Sequence, residues 1–280
     1  RALRPGQLFV PLVADRDGHD FLADAVRAGA PAYLTEGRRV DGPAAVIEVG
    51  DTTTALLAIG AWARTRFPDR VIGITGSVGK TSVKDLARAV VSAHWRTAAS
   101  DKSLNNDWGL PATIVNAPDD SEALVLEMGM RGLGEIARLC AVARPTVGVV
   151  TRVAAAHTER LGGIDGVARA KSELVQSLPP SGWAVLNADD ERVIAMSALT
   201  GARVLSFGIG GGDVRVEDLV LDDLARPRFR LATPWGNAAV TLPVSGVHMA
   251  LNAAAAVAAG LAVGVPLESA ANALGDASLS

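Results

Sequence analysis

The stretch Val71-Ile72-Gly73-Ile74-Thr75-Gly76-Ser77-Val78-Gly79-Lys80-Thr81-Ser82 restricts the fold more than any other part of the chain. Apolar residues around Gly73 read as the end of a buried strand, and a short glycine turn follows. Val83-Lys84-Asp85-Leu86-Ala87-Arg88-Ala89-Val90-Val91 then has helical periodicity. A strand that feeds a helix through a glycine loop ending in Lys-Thr is the setting of a phosphate-binding P-loop. Gly76 and Gly79 let backbone N–H groups close around phosphate oxygens where a Cβ would intrude. The helix N-terminus adds unpaired donors and partial positive charge. Lys80 can reach the terminal phosphates, and the Thr81 hydroxyl can ligate Mg²⁺.

The loop is a short form of the pattern, Gly-x-x-Gly-Lys-Thr, because Ile74 stands where the first glycine of G-x-x-x-x-G-K-[ST] belongs. Thr75-Gly76-Ser77-Val78-Gly79 also approaches a nucleophile elbow, but Thr75 occupies that motif's first glycine. The plain competing reading is an ordinary strand-to-helix turn.

From Arg70 onward strands and helices alternate. Strands are expected at 70–75, 123–127, 146–151, 183–187 and 204–207, with helices starting near Thr81, Trp108, Gly134, Asp165 and Asp190. This alternation predicts a mostly parallel sheet covered on both faces, with ligands at the carboxyl ends of its strands. Gly208-Ile209-Gly210-Gly211-Gly212-Asp213 lacks the third Rossmann glycine and reads as a loop. It leads into antiparallel strands at 214–222, 228–232 and 238–242, and a helix from His248 to about Leu261 closes the unit. Before it, strands are expected at 8–12, 32–34 and 45–49. A short helix over Phe21–Ala28 is closed by Gly29, and a longer one is capped by Asp51. The fold class is therefore α/β: a small N-terminal α/β domain (1–68), then a P-loop domain (69–280) with a small antiparallel extension.

With 280 residues, 49% of them hydrophobic, there is ample material for packed cores. A net charge of −3 without a basic run gives no sign of nucleic-acid binding. No apolar run approaches membrane-spanning length and no signal peptide is evident. The single cysteine, Cys140, sits in an apolar periodic run and reads as a buried hydrophobe. These features fit a cytoplasmic location.

Three further residues stand where chemistry would be done. Glu127 ends the strand beside the P-loop strand, where an NTPase holds Mg²⁺, although an exposed strand-end carboxylate is the bland alternative. His157 follows the strand at 146–151 on the same ligand edge; a lone histidine is more often structural, and no residues stand at zinc spacing. Lys171, inside a helical run, reads by pattern alone as a solvated surface lysine.

Taken together, Thr75–Ser82, Ser103-Leu104-Asn105-Asn106-Asp107-Trp108-Gly109-Leu110-Pro111, Leu126-Glu127-Met128-Gly129 with Gly134-Glu135-Ile136, Ala155-Ala156-His157-Thr158-Glu159, Ala170-Lys171-Ser172-Glu173 and Leu186-Asn187-Ala188-Asp189-Asp190 resemble the Mur ligases of peptidoglycan synthesis, over essentially the whole chain. Arg4-Pro5-Gly6-Gln7-Leu8-Phe9-Val10 and Asp17-Gly18-His19-Asp20-Phe21 resemble one branch, whose members join D-alanyl-D-alanine to UDP-N-acetylmuramoyl-tripeptide. The resemblance implies ATP-dependent amide formation: the substrate carboxylate takes the γ-phosphoryl group, and the dipeptide amine then attacks the acyl phosphate. It implies that Gly76, Ser77, Val78, Gly79, Lys80, Thr81 and Ser82 cradle ATP. Thr81 and Glu127 would hold one Mg²⁺, with His157 and a carbamate on Lys171 serving a second. Asn105 and Asn106 would face the nucleotide and substrate cleft, Asn252 the adenine, and the first domain the UDP end. A monomer is expected.

The chain departs from the family at Arg152, where an asparagine often stands, and at Met249, which breaks a His-Asn pair after His248. Arg1 aligns with the end of a uridine motif. The family's C-terminal domain has no counterpart, so this chain is expected not to turn over alone. Another Mur-type ligase, or a non-catalytic nucleotide- or UDP-sugar-binding relative, remains open as an alternative.

Overall fold

The computed structural model of the 280-residue chain describes residues 3–101, 104–155 and 161–279. Two parallel strands, β1 (Ala32–Thr35) and β2 (Ala45–Glu48), form a small sheet near the N-terminus. A 3-10 turn at Gly18–Phe21 leads into helix α1 (Leu22–Arg27). The strand expected over 8–12 is reduced to one bridge, Phe9 to Tyr33 of β1. Pro11 has no N–H to continue a ladder, and Gly18 is packed against the Leu12 backbone, where a Cβ would come within 2.5 Å of the nitrogen.

Helix α2 (Thr52–Arg64) begins where expected. Its Asp51 cap accepts from the Thr54 N–H at 2.5 Å, and Glu36 accepts from the Thr52 N–H at 2.7 Å. Though close in sequence to the small sheet, α2 packs on α4 (Gly109–Val115) and α5 (Glu135–Ala143). The contact is tight because residue 60 is glycine: a Cβ there would lie 2.5 Å from Pro111 Cβ and 2.9 Å from its Cα. At the end of α2 the buried Arg64 guanidinium donates to the Ala143 and Phe67 carbonyls and to Asp69, each at 2.8 Å. It thereby ties α2 to the end of α5 and to the approach to the central sheet.

That sheet has nine strands in the order β11-β10-β9-β8-β7-β6-β3-β5-β4. The parallel set comprises β3 (Val71–Thr75), β4 (Thr97–Ala99), β5 (Ala123–Glu127), β6 (Val147–Val150), β7 (Trp183–Asn187) and β8 (Arg203–Gly208). The antiparallel strands β9 (Val214–Leu221), β10 (Pro227–Thr233) and β11 (Gly236–Thr241) extend the same sheet, with β9 running parallel to β8. Strand β4 was too short and too polar at its start to be read from the sequence. The glycine loop after β8 precedes a strand, and its Ile209 and Gly210 N–H groups are taken by the Asp189 carboxylate at 2.7 and 2.9 Å. An internal carboxylate thus occupies the place of a ligand phosphate.

Apolar residues divide by strand face. Ile72, Ile74, Val125 and Val149 meet α3 (Lys80–Ser92) and α8 (His248–Ala262) on one side. Val71, Leu124, Leu126 and Val150 meet α4, α5 and α6 (Ile164–Gln176) on the other. Two short helices, α7 (Glu191–Ile194) and α9 (Leu267–Ala273), complete the covering. Residues Ala253–Ala259 of α8 are fully buried, small side chains that let this helix lie close against α3 and the sheet. The chain passes from β3 out to β4, returns to β5, and crosses to β6 on the far side of β3. The strand order therefore reverses at β3, and the crevice at its carboxyl end is where an open α/β sheet receives a ligand.

Two stability outcomes follow from this packing. Helix propensity alone favours Gly60→Ala by about 1 kcal/mol, but the backbone of Pro111 cannot yield, and overpacking costs about 1–3 kcal/mol. Gly60→Ala is expected to lower the denaturant midpoint, and a raised midpoint would show that α4 retreats freely. Arg64→Met leaves buried carbonyls without donors and is expected to cost about 2–3 kcal/mol; urea titration measures it, and an unchanged midpoint would refute the role given to Arg64.

Candidate active site

The site is assembled at the tips of β3, β5 and β6. Gly79, at φ +88°, is the N-cap of α3 and supplies no side-chain cap. The first N–H groups of α3 have no intrahelical acceptors and remain for a ligand. Gly79 also passes close to Asn252 of α8, whose Oδ1 would be 2.9 Å from a Cβ there. Gly76, at φ +152°, lies so close to Thr151 that a Cβ would fall 1.9 Å from its hydroxyl. Both glycines are thus fixed by close approach as well as by conformation.

Glu127 ends β5, in register with Ile74 of β3, and is only 1% exposed. Its carboxylate accepts from Thr81 Oγ1 at 3.0 Å and from Asn105 Nδ2 at 2.7 Å. Because the Thr81 hydroxyl gives its proton to Glu127, its lone pairs are directed elsewhere. Asn105 is held by its own carbonyl, which accepts from the Gly129 N–H at 2.7 Å. Asn106 accepts from the Trp108 and Gly109 N–H groups, which starts α4. Asp107 pairs with Arg138 through two bonds of 2.8 and 2.6 Å.

Lys80 folds back over its loop and donates to the Gly76 carbonyl at 2.9 Å. Burial lowers its pKa and Glu127 partly offsets this. Lys171 is not the surface lysine that pattern alone suggests: it is 4% exposed. Burial, and then the charge of Lys80, push its pKa down to about 7. The cause is traceable to sequence. Gly73 and Gly148 face each other across β3 and β6, and Leu174 of α6 packs on both; Cβ atoms there would lie 3.1 and 3.0 Å from it. The helix therefore sits low on the sheet, and its preceding turn brings Lys171 to the strand tips. Lys171, Gly76, Ser77, Lys80, Asn105 and Asn106 line one cavity of about 570 Å³.

A second cavity, about 770 Å³ and more apolar, lies between the segment 3–12, α2 and α4, with Asn106 and Trp108 common to both. It is larger, but the ionisable side chains, Lys80 and Lys171 among them, line the smaller one, which makes it the candidate for chemistry.

Val78 is exposed at the loop tip, and Thr81 and Ser82 are half-buried in the first turn of α3. Asn252 is buried against Gly79, its amide directed to Met249 Sδ at 3.6 Å. Arg152 exposes its side chain and contributes its carbonyl to the Ser77 N–H. His157 lies outside the described residues. Sequence reading gave no role to Thr151, which braces the loop, or to the cavity residues Thr53 and Arg131, and it quoted Glu135 only as part of a motif. Thr151 carried a usable signal, a hydroxyl at a strand tip beside a P-loop.

The donor set suits a nucleotide and a hard cation: a capless helix start, a lysine, a hydroxyl and a carboxylate. Among the described residues no cluster of three or more His, Cys, Asp or Glu is arranged for a metal, so the ligand's own oxygens would complete any shell. The Thr75 hydroxyl at the tip of β3 is buried and finds no hydrogen-bond partner among the described residues.

The model of the Mur ligase middle domain matches residues 74–260. The chain is 40% identical over 298 residues to the UDP-N-acetylmuramoyl-tripeptide–D-alanyl-D-alanine ligase of Mycobacterium tuberculosis, covering 98% of this chain and 58% of that protein. It superposes on MurF from Acinetobacter baumannii with a TM-score of 0.90 at 33% identity, covering 99% of this chain and 61% of that one. MurF ligase from Thermotoga maritima, solved in complex with ADP, gives a TM-score of 0.86 at 28% identity, over 99% and 64%. The chain spans 58–64% of these relatives' own lengths. The P-loop, the Glu127 network and the reversal of strand order at β3 all fall within the matched region, and the chain belongs to the Mur ligase family.

Proposed function

We propose that this chain provides the nucleotide and carboxyl-substrate sites of an ATP-dependent ligase that joins D-alanyl-D-alanine to UDP-N-acetylmuramoyl-tripeptide. The observation that carries the reading is one cavity holding Lys80, Lys171 and the Asn105 loop beside the Thr81–Glu127 pair. The names of the relatives supply the substrates, and the ADP complex of one of them supplies the nucleotide class.

In this reading ATP supplies the phosphoryl group and Mg²⁺ screens its charge. Gly76–Ser82 wrap the phosphates, and Lys80 leaves the Gly76 carbonyl to reach the terminal ones. Thr81 and Glu127 hold the metal, with Asn105 fixing the carboxylate. Lys171, once carboxylated, would present an anionic oxygen toward a second cation, with His157 as its partner. A neutral amine is needed to capture CO₂, and burial supplies one at Lys171. Asn106 and Trp108, shared by the two cavities, mark the route from the N-terminal segment to the phosphates. The UDP end of the substrate would lie along residues 1–68, and Asn252 would steady the loop next to the nucleotide.

In a form extended to the length of its relatives, since these residues are expected not to turn over alone, Lys80→Ala is expected to cut ATP-dependent ligation about 10²–10³-fold, the usual cost of losing one preorganised charge contact, while the UDP-substrate still binds. ADP release and equilibrium binding measure the two halves, and unimpaired turnover would refute the assignment. Comparing D-alanyl-D-alanine with single amino acids as the amine separates this branch from other Mur-type ligases.

Lys171 also has a consequence for stability. Between pH 7 and 10.5 the unfolded chain holds a proton that folded Lys171 has released, so stability falls as pH drops across that window and levels off below about 7, where both states are protonated. In CO₂-depleted buffer, Lys171→Met is expected to remove this slope and to be more stable than the parent at the lower end. Parallel stability–pH curves for the two proteins would count against a buried neutral amine.

A further inference from the structure

The motif Asn187-Ala188-Asp189-Asp190 has no part in the chemistry above, yet its polar residues fasten two loops: Asn187 and Asp190 hold residues 151–153, and Asp189 holds the loop after β8. We infer that Asn187 and Asp190 are positioning residues for nucleotide phosphate, acting through the segment 151–154; this rests on the nucleotide reading of the P-loop.

The outer half of the P-loop leans on that segment. The Ser77 N–H donates to the Arg152 carbonyl at 2.7 Å. Ser77 Oγ donates to the Ala154 carbonyl and accepts from the Ala154 N–H, both at 3.0 Å. Thr151 Oγ1 donates to the Val78 carbonyl at 2.6 Å. The Ser77 N–H is therefore spent inside the protein, and the anion pocket begins beyond it. The loop's shape is set by where residues 151–154 lie.

That segment is in turn pinned from the tip of β7. Asn187, 2% exposed, donates through Nδ2 to the Thr151 carbonyl at 2.7 Å, while its Oδ1 accepts from the Asp189 N–H at 2.9 Å. Both ends of the carboxamide are used, so its orientation is fixed. Asp190 accepts from the Val153 N–H at 2.9 Å through Oδ2 and caps α7 through Oδ1. Two side chains, one at the tip of β7 and one at the cap of α7, thus hold alternate residues of a strand-tip segment, and the intervening residue, Arg152, holds Ser77. The P-loop lies two strands away from these side chains, since β6 separates β7 from β3, so they act on phosphate without touching it.

The chemistry of the two side chains gives a near-isosteric test. Asn187→Asp keeps the acceptor for the Asp189 N–H but turns an oxygen toward the Thr151 carbonyl. Asp190→Asn keeps an oxygen for the helix cap, where asparagine is as good as aspartate, and turns an amide group toward the Val153 N–H. As a control, Thr200→Val removes a hydrogen bond of 2.7 Å to the Val175 carbonyl in the same body, away from the loop. Calorimetric titration of the 280-residue chain with Mg²⁺-ATP, alongside thermal unfolding, reads both effects.

Both motif variants are expected to weaken ATP binding about tenfold, the equivalent of one hydrogen bond at the upper end of its usual range, whereas Thr200→Val lowers the unfolding midpoint and leaves ATP affinity unchanged. Should Asn187→Asp fail to fold, Asp190→Asn carries the comparison. ATP affinity equal to the parent's in a folded motif variant overturns the inference, as does equal weakening in all three. A parent chain that binds no ATP would sink the nucleotide reading and this inference with it.

Discussion

A carboxylate taken out of water at a strand tip must be given donors, and this requirement organises the centre of the molecule. Glu127 is almost fully buried, and an uncompensated carboxylate there would cost several kcal/mol. Its donors come from two different elements: Thr81 from the first turn of α3 and Asn105 from the segment before α4. Asn105 is placed by the Gly129 N–H, and Asp107 by Arg138 of α5. Satisfying one buried group therefore aligns the P-loop helix, the loop before α4 and the loop after β5. The Glu127 carboxylate and the Thr81 hydroxyl that donates to it are hard oxygen donors of the kind a cation-bound phosphate needs.

What the sequence disclosed and what it hid follow from how local each signal is. The P-loop, the Asp51 cap and the alternation of strands and helices are carried by residues within a dozen positions of one another, and the observed β3, β5, β6, β7 and β8 lie where periodicity put them. The loop at 208–213 was rejected as a dinucleotide site from its missing glycine, and the structure adds the reason in space, an internal carboxylate on its N–H groups. Segment 8–12 failed because alternation of apolar residues cannot register a proline in the ladder or a glycine packed from another segment. Burial of Lys171 was invisible for a different cause: it depends on paired glycines on two strands, one of them about a hundred residues away, and only the assembled sheet brings Gly73 and Gly148 together.

The same distinction separates the two halves of the site. Residues that would touch phosphate are contiguous, because a helix start is itself the binding device. Residues that shape the loop are scattered over Thr151, Ala154, Asn187 and Asp190, because bracing a turn from outside takes side chains of neighbouring strand tips. A motif search finds the first group. The second appears only after every hydrogen bond of the loop has been assigned an origin.

The charges in the cavity give the arrangement its direction. Lys80 and Lys171 share one small space, and each loses favourable hydration there; the charge of Lys80 also works against a proton on Lys171. Glu127 offsets part of this but already accepts from two donors. The other carboxylates of the cavity are also engaged, Asp107 by Arg138 and Glu135 by the Arg131 N–H, so two additions would relieve the repulsion between the amines: a polyanion against Lys80, or a carboxyl group on the amine of Lys171. The second addition turns the lysine–lysine repulsion into an attraction at the same distance, and it adds oxygen donors where a second cation could bind. The glycines and the braces around the strand tips already set the shape of the loop. In the proposed reading the resting protein holds cations in place for anions that arrive later, the form of preorganisation that phosphoryl chemistry rewards.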